Sequence, residues 1–142
     1  MTSDRIDAAL EFARPLSRGV LMTLKQEGGP QASNIMYATF DGGVHVSVTD
    51  DRAKTVNLRR DPRAALHVTS PDFGRWAVLE GGARLSEVTA SPGDDAGNLL
   101  RRVYEAIAGP HPDWDDYDRA MIAERRLVVS IPVTHAYGQG FW

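Results

Sequence analysis

Residues 31–49, QASNIMYATFDGGVHVSVT, decide the fold. Gln31 to Phe40 reads as a strand, Asp41-Gly42-Gly43 as a tight hairpin turn, and Val44 to Thr49 as the returning strand. On the returning strand Val44, Val46 and Val48 alternate with His45, Ser47 and Thr49, which predicts one core face and one polar face. Upstream, Gly19 to Lys25 forms another strand, joined through the turn at 26–30, and Ile6, Ala9, Leu10 and Ala13 share one face of a helix over 4–13. Downstream, a short basic helix ends at Asp61-Pro62, because proline disfavours helix in the residue before it. Strands follow at 64–69 and 76–85, the second bent around Gly81-Gly82. Helices at 98–108 and 114–126, a strand at 127–133 and a tail at 134–142 complete the chain. Five short strands with mainly hairpin links before the helices predict an α+β, mostly β fold: a six-stranded antiparallel barrel with flanking helices, as one domain over 1–142.

Composition narrows the function classes. At 142 residues and 15.6 kDa the chain is long enough to bury a real core. It has no cysteine, which excludes disulfides, thiol chemistry and zinc–cysteine sites. No stretch approaches the roughly 18 apolar residues of a membrane span, and the charged amphipathic start lacks an apolar signal core. Cytoplasmic placement, with no membrane partner, is the resulting expectation. A formal charge of −3 and a pI near 5.8 argue against nucleic acid as a partner. The four histidines (45, 67, 111 and 135) show no ligand spacing, so they read as structural or exposed, and no metal is expected. Neither GxGxxG nor GxxxxGK[ST] occurs. The pairs Asp94-Asp95 and Asp115-Asp116 fall at helix starts, where acids are favoured anyway. Ser33, Ser47 and Ser130 lack a nucleophile-elbow setting.

One segment stands against the acidic background. Residues 51–63, DRAKTVNLRRDPR, hold five of the 16 lysines and arginines. Arg52 and Lys54 lie in the first turn of the predicted helix, where the macrodipole disfavours cations by roughly 0.3–1 kcal/mol each. Asp50 or Asp51 could cap that helix. Two cations beside unsatisfied backbone N–H groups make a phosphate cradle, and Lys54 and Asn57, three apart, would share a face. The polar face of the preceding strand delivers Ser47 and Thr49 to the same place. The competing reading is a solvated helix whose charges only keep it soluble.

The strings GVLMTLKQEGGPQASNIMYATF, VSVTDDRAKTVNLRRDPRAALHV and WAVLEGGARL resemble the split β-barrel superfamily of flavin and deazaflavin oxidoreductases, which includes the pyridoxamine 5′-phosphate oxidases. The later stretch IAGPHPDWDDYDRAMIAERRLVVSIPVTHAYG is similar to an actinobacterial branch using the deazaflavin coenzyme F420. The resemblance spans about residues 10–138 and implies a homodimer with two cofactor sites at the subunit interface. It implies that Arg52 and Lys54 hold a cofactor phosphate, helped by Asn57 and the backbone around Ala53. Gln31, Ser33 and Asn34 would follow the ring system, Ser47, Val48 and Thr49 would flank the ribityl–phosphate region, and Arg75 and Trp76 would be wall residues from the second subunit. F420 is a linear polyanion, so Arg59, Arg60 or Arg63 would serve its acidic tail. The C-terminal THAYGQGFW lacks the Arg- and Pro-bearing segment with which pyridoxamine phosphate oxidases hold substrate phosphate.

The expected activity is hydride transfer from reduced F420 to an electron-poor small-molecule acceptor such as an enone or quinone, with Tyr37 or Ser33 as proton donor. An FMN-dependent oxidase or reductase and a non-catalytic F420 carrier are the alternatives.

Overall fold

The computed structural model describes residues 2–142. The order is α1 (Thr2–Ala13), β1 (Arg18–Leu24), β2 (Pro30–Met36), β3 (Ala38–Phe40), β4 (Gly43–Thr49), α2 (Ala53–Arg60), β5 (Arg63–Thr69), β6 (Trp76–Gly82), β7 (Arg84–Leu85), α3 (Asp95–Ala108), α4 (Trp114–Ala123), β8 (Arg126–Pro132) and β9 (His135–Gln139). Two antiparallel sheets result, in the orders β2-β1-β5-β6-β9 and β3-β4-β8-β7.

The described residues thus form nine strands where six were expected. Two expected strands each divide. The 31–40 strand breaks at Tyr37, whose N–H turns to Ser17 O at 2.9 Å and whose hydroxyl donates to Ala13 O at 2.7 Å. The 76–85 strand breaks at Ala83, whose N–H goes to Pro62 O at 2.8 Å. Each interrupted chain passes from one sheet to the other, so β2–β3 and β6–β7 tie the two together. The tail supplies the ninth strand, because β9 pairs along β6 from Trp76↔Gln139 to Glu80↔His135. Helix α4 ends at Ala123, short of the expected 126, and α3 starts at Asp95 rather than Asn98. Asp94 sets that start, accepting from Gly97 N at 2.7 Å and Ala90 N at 2.8 Å, and these bonds hold its carboxyl down at about 2.

The alternation read in β4 decides what lies where. Val44, Val46 and Val48 enter a core shared by both sheets with Leu21, Leu66, Leu79, Ile131 and the α1 residues Ala9 and Ala13. Helices α3 and α4 cover the opposite face of the four-stranded sheet, packing Leu100, Val103 and Tyr117 on Ala38 and Val128. They are locked to each other by Arg101, which grips the buried Asp118 carboxylate at 2.9 and 2.5 Å. Burial favours the protonated acid, but the guanidinium outweighs it and holds Asp118 below the usual carboxylate range.

His45 is buried on the helix-covered face. Its Nδ1 meets Ser130 Oγ at 2.8 Å, its Nε2 meets Phe40 O at 2.9 Å, and its ring stacks on Phe40 at 3.8 Å. Arg102 lies over Phe40 and pairs with Asp41 at 2.7 Å. Burial lowers the imidazole below its ordinary 6.5, against the smaller upward pulls of the Phe40 carbonyl and Asp41. The unfolded chain therefore binds the proton first as pH falls through 6.5, and stability drops from there down to the folded value. Thermal melts of wild type and His45→Gln at about pH 7.5 and 5.5 check this, with the variant expected to lose less stability on acidification. Parallel pH profiles would contradict it.

Candidate functional site

A cleft of about 760 Å³ opens between the β4 end of the four-stranded sheet, the tip of β2 and the α3–α4 pair. Asn34, Ile35 and Met36 form one side, Ser47, Val48, Thr49, Arg52 and Lys54 the second, and α3–α4 residues the third. The volume suits a cofactor or drug-sized ligand.

The cationic end is built by α2. Arg52 is its N-cap residue, with extended backbone (φ −70, ψ 150), and no side chain caps the helix. The expected aspartate caps do not form. Asp50 instead pairs with Arg59 at 2.6 Å and Arg125 at 3.1 Å, and these two guanidinium groups hold its carboxyl below the usual range. No acid occupies the first turn. The start of α2 therefore has no capping side chain, and its first N–H groups have no intrahelical partner.

A third cation joins there. Arg126 opens β8 directly opposite Thr49, with Nη1 toward Ser47 Oγ at 3.3 Å and Nη2 paired with Glu124 at 2.9 Å. Arg52 and Lys54 form no ion pair among the described residues. Partial burial lowers the Lys54 ammonium first, and the charges of Arg52 and Arg126 lower it further. Beside them Thr49 Oγ1 is buried with no hydrogen-bond partner. Two unpaired cations, a third held beside them by Glu124, an open helix start and an orphaned hydroxyl match a phosphate-bearing ligand in charge and in donor supply.

Of the residues expected at this site, Asn34, Ser47, Val48, Thr49, Arg52 and Lys54 come together on the cleft. Ala53 borders the adjoining hollow with Thr49, Arg52 and Arg126 and with the acids Asp51 and Glu124. Gln31 and Ser33 do not line it. Strand alternation puts them on the same side as Leu21 and Thr23, opposite Asn34. There Gln31 accepts from Thr23 Oγ1 at 2.7 Å, and Ser33 Oγ is buried without a partner. Asn57 also turns inward, donating to Thr23 Oγ1 at 3.1 Å and facing Arg60 through its carbonyl oxygen. It packs α2 onto β1 and does not line the cleft that Lys54 borders.

The arginines expected to serve an acidic tail are occupied within the chain. Arg59 holds Asp50, Arg60 holds Asn57 and the Leu24 carbonyl, and Arg63 holds Asp61 at 2.8 Å. Arg126 is the cation that sequence reasoning missed. It was invisible because its place depends on the β4–β8 pairing, which joins residues 77 apart. Arg75 and Trp76 lie elsewhere in this chain: Arg75 over the Phe12 ring at 5.4 Å, and Trp76 between His67 and Tyr137 on the outer face of the five-stranded sheet. Tyr37 is only 1% exposed, and burial pushes its phenol up, so it is no proton donor to the cleft.

The family described as pyridoxamine 5′-phosphate oxidase matches residues 6–138. The chain belongs to that family. Among solved structures, it is similar to the conserved hypothetical protein Rv2991 of Mycobacterium tuberculosis, at 26% identity and TM-score 0.75, covering 99% of this chain and 86% of that one. It is also similar to an F420 reductase, at 21% identity and TM-score 0.66, over 92% and 94% of the two chains. A putative pyridoxamine 5′-phosphate oxidase from Listeria innocua gives 20% identity and TM-score 0.66, over 96% of each. Family membership brings an oxidoreductase-type fold whose members bind flavin-type cofactors. No helix among the described residues is long and apolar enough to cross a membrane, and no group of three or more His, Asp or Glu there is placed to hold a metal.

Proposed function

We propose that this protein is an F420-dependent oxidoreductase that passes a hydride from the reduced coenzyme to an electron-poor conjugated acceptor such as an enone or quinone. The observation that carries the reading is the convergence of Arg52, Lys54 and Arg126 at the uncapped start of α2. FMN brings one phosphate. F420 brings a phosphodiester and a carboxylate-bearing tail, so a site with two unpaired cations and Arg126, held by Glu124, beside them favours it. Similarity to a structure described as an F420 reductase supports the same choice.

In this reading Arg52, Lys54 and the α2 amides hold the phosphodiester, Thr49 contributes its hydroxyl, and Arg126, on giving up its Glu124 pair, meets the first tail carboxylate. The ring lies toward Asn34 and the α3–α4 wall. When bound, the reduced deazaflavin supplies a hydride from one ring carbon. The chain's own contribution is to hold two flat molecules in contact and keep water from between them. A cytoplasmic homodimer is part of the proposal. Trp76, Tyr137 and His67 form an outward aromatic group on the five-stranded sheet, where a second copy would cover them.

Titrating purified protein with F420 and with FMN at matched ionic strength tests the cofactor. Binding is expected to favour F420 by at least tenfold, and anaerobic loss of reduced-F420 absorbance is expected with members of an enone and quinone panel. Equal affinity for FMN would remove the charge argument. Tight F420 binding with no turnover across the panel would leave a carrier in place of an enzyme.

A further inference from the structure

The loop between α3 and α4 reads Gly109-Pro110-His111-Pro112-Asp113, and the proposed function makes no use of it. Prolines on both sides of His111 fix the backbone φ at 110 and 112. Pro112 has no N–H, so the first amide after His111 is that of Asp113, and it donates to His111 Nδ1 at 2.9 Å. The Asp113 carboxylate in turn accepts from Asp116 N at 3.1 Å, which anchors the residue that donates to the imidazole at the first turn of α4. With Nδ1 accepting, the proton of the neutral imidazole sits on Nε2.

The ring is held by its faces and edges too. Tyr104, Tyr117 and Trp114 surround it at centroid distances of 5.1, 5.4 and 5.7 Å. His111 lines the cleft among Val103, Ile107, Ala120 and Met121, with the Asp116 carboxylate, paired to Arg119 at 3.7 Å, on the same wall. The neighbouring Tyr117 hydroxyl is committed to Leu100 O at 2.9 Å. A donor held in one tautomer by the Asp113 amide and by three aromatic neighbours therefore stands in a mainly apolar wall that also carries the Asp116 carboxylate. Such a group is worth most where charge grows on a bound oxygen, because a fixed dipole in an apolar surround needs no reorganisation.

We propose that His111 Nε2–H receives the carbonyl oxygen of a flat conjugated molecule lying against the α3–α4 wall. The inference rests on the cleft being a redox-cofactor site. The carbonyl has two possible sources, the acceptor or the ring edge of the cofactor, and both offer the same chemistry. In the acceptor case, the hydride adds to the conjugated carbon while the electron pair moves onto the carbonyl oxygen. His111 stabilises that charge and keeps its own proton, and water supplies the proton that completes the product.

Nitrogen-15 NMR of the full chain at about pH 8.5, with His111 assigned by loss of its signals in His111→Phe, reads the tautomer directly. Free protein is expected to show the Nε2–H form. Oxidised F420, FMN and menadione are then added separately, and menadione also after F420. Movement of the Nε2 resonance with F420 or FMN alone assigns the carbonyl to the cofactor ring. Movement only with menadione assigns it to the acceptor. His111→Phe keeps the aromatic packing and removes the donor, so at least a tenfold loss is expected, in coenzyme affinity for the first case or in acceptor kcat/KM for the second. Partial recovery in His111→Gln, which restores an N–H, would separate a donor from a merely structural ring.

An Nδ1–H tautomer in the free protein overturns the proposal, as does an Nε2 resonance unmoved by every ligand that binds. If neither F420 nor FMN binds wild type, the functional reading fails by itself, and the His111 assignment then stands or falls on the menadione arm.

Discussion

Replacing Arg52 and Lys54 together by alanine is expected to weaken F420 binding by about two to four orders of magnitude. Each charge-assisted contact to a phosphate contributes about 1.5–3 kcal/mol, and about 1.4 kcal/mol corresponds to tenfold in affinity. The fold should not suffer. Neither side chain forms an ion pair among the described residues, and Lys54 sits under the repulsion of Arg52 and Arg126. The melting temperature of the double variant is therefore expected to be unchanged or slightly higher. Affinity for F420 in wild type should also fall as salt rises, and the double variant should show a shallower dependence. A drop of less than fivefold, measured by equilibrium titration, would move the anion site away from α2. A large fall in melting temperature would mean that the two cations hold the fold together.

Gly81→Ala is expected to destabilise the protein by about 3 kcal/mol, a loss of roughly 10 °C in melting temperature for a chain of this size. A Cβ at Gly81 would run into the Pro132 carbonyl oxygen, with Ile131 Cγ2 and Pro132 C both at 3.1 Å behind it. These are backbone atoms and a buried side chain, so β8 would have to move away from β6. A methyl group at the adjacent Gly82 would meet nothing within 4 Å, so Gly82→Ala is expected to be nearly neutral. The pair makes the measurement specific: equal effects at both sites would show that backbone freedom, rather than the close crossing of β6 over β8, accounts for the glycines.

Much of the fold was legible in the sequence because its decisive interactions are local. The β3–β4 turn at Asp41-Gly42 was readable from composition, and both residues adopt positive φ, 52° and 71°. The period-2 pattern in β4 sorted Val44, Val46 and Val48 into the core and left Ser47 and Thr49 for the cleft. The cationic start of α2 was readable for the same reason, since two cations in a first turn oppose the helix dipole wherever the helix sits. The same alternation along β2 divides Gln31 and Ser33 from Asn34. Asn57 could not be oriented that way, because an eight-residue helix of mixed polarity presents no clear apolar stripe.

By itself, then, the sequence determined antiparallel pairing between chain neighbours, the apolar face of β4, the start of α4 at Trp114 and the place where positive charge gathers. Those features depend on residues within a few positions of one another. Tertiary structure alone decided that Arg126 stands across from Thr49, that the C-terminal residues add a strand beside β6, and that Arg59, Arg60 and Arg63 are satisfied within the chain. It also decided that His111 faces the cleft. These outcomes join segments tens of residues apart, and they are fixed by how sheets and helices pack, which no local pattern encodes.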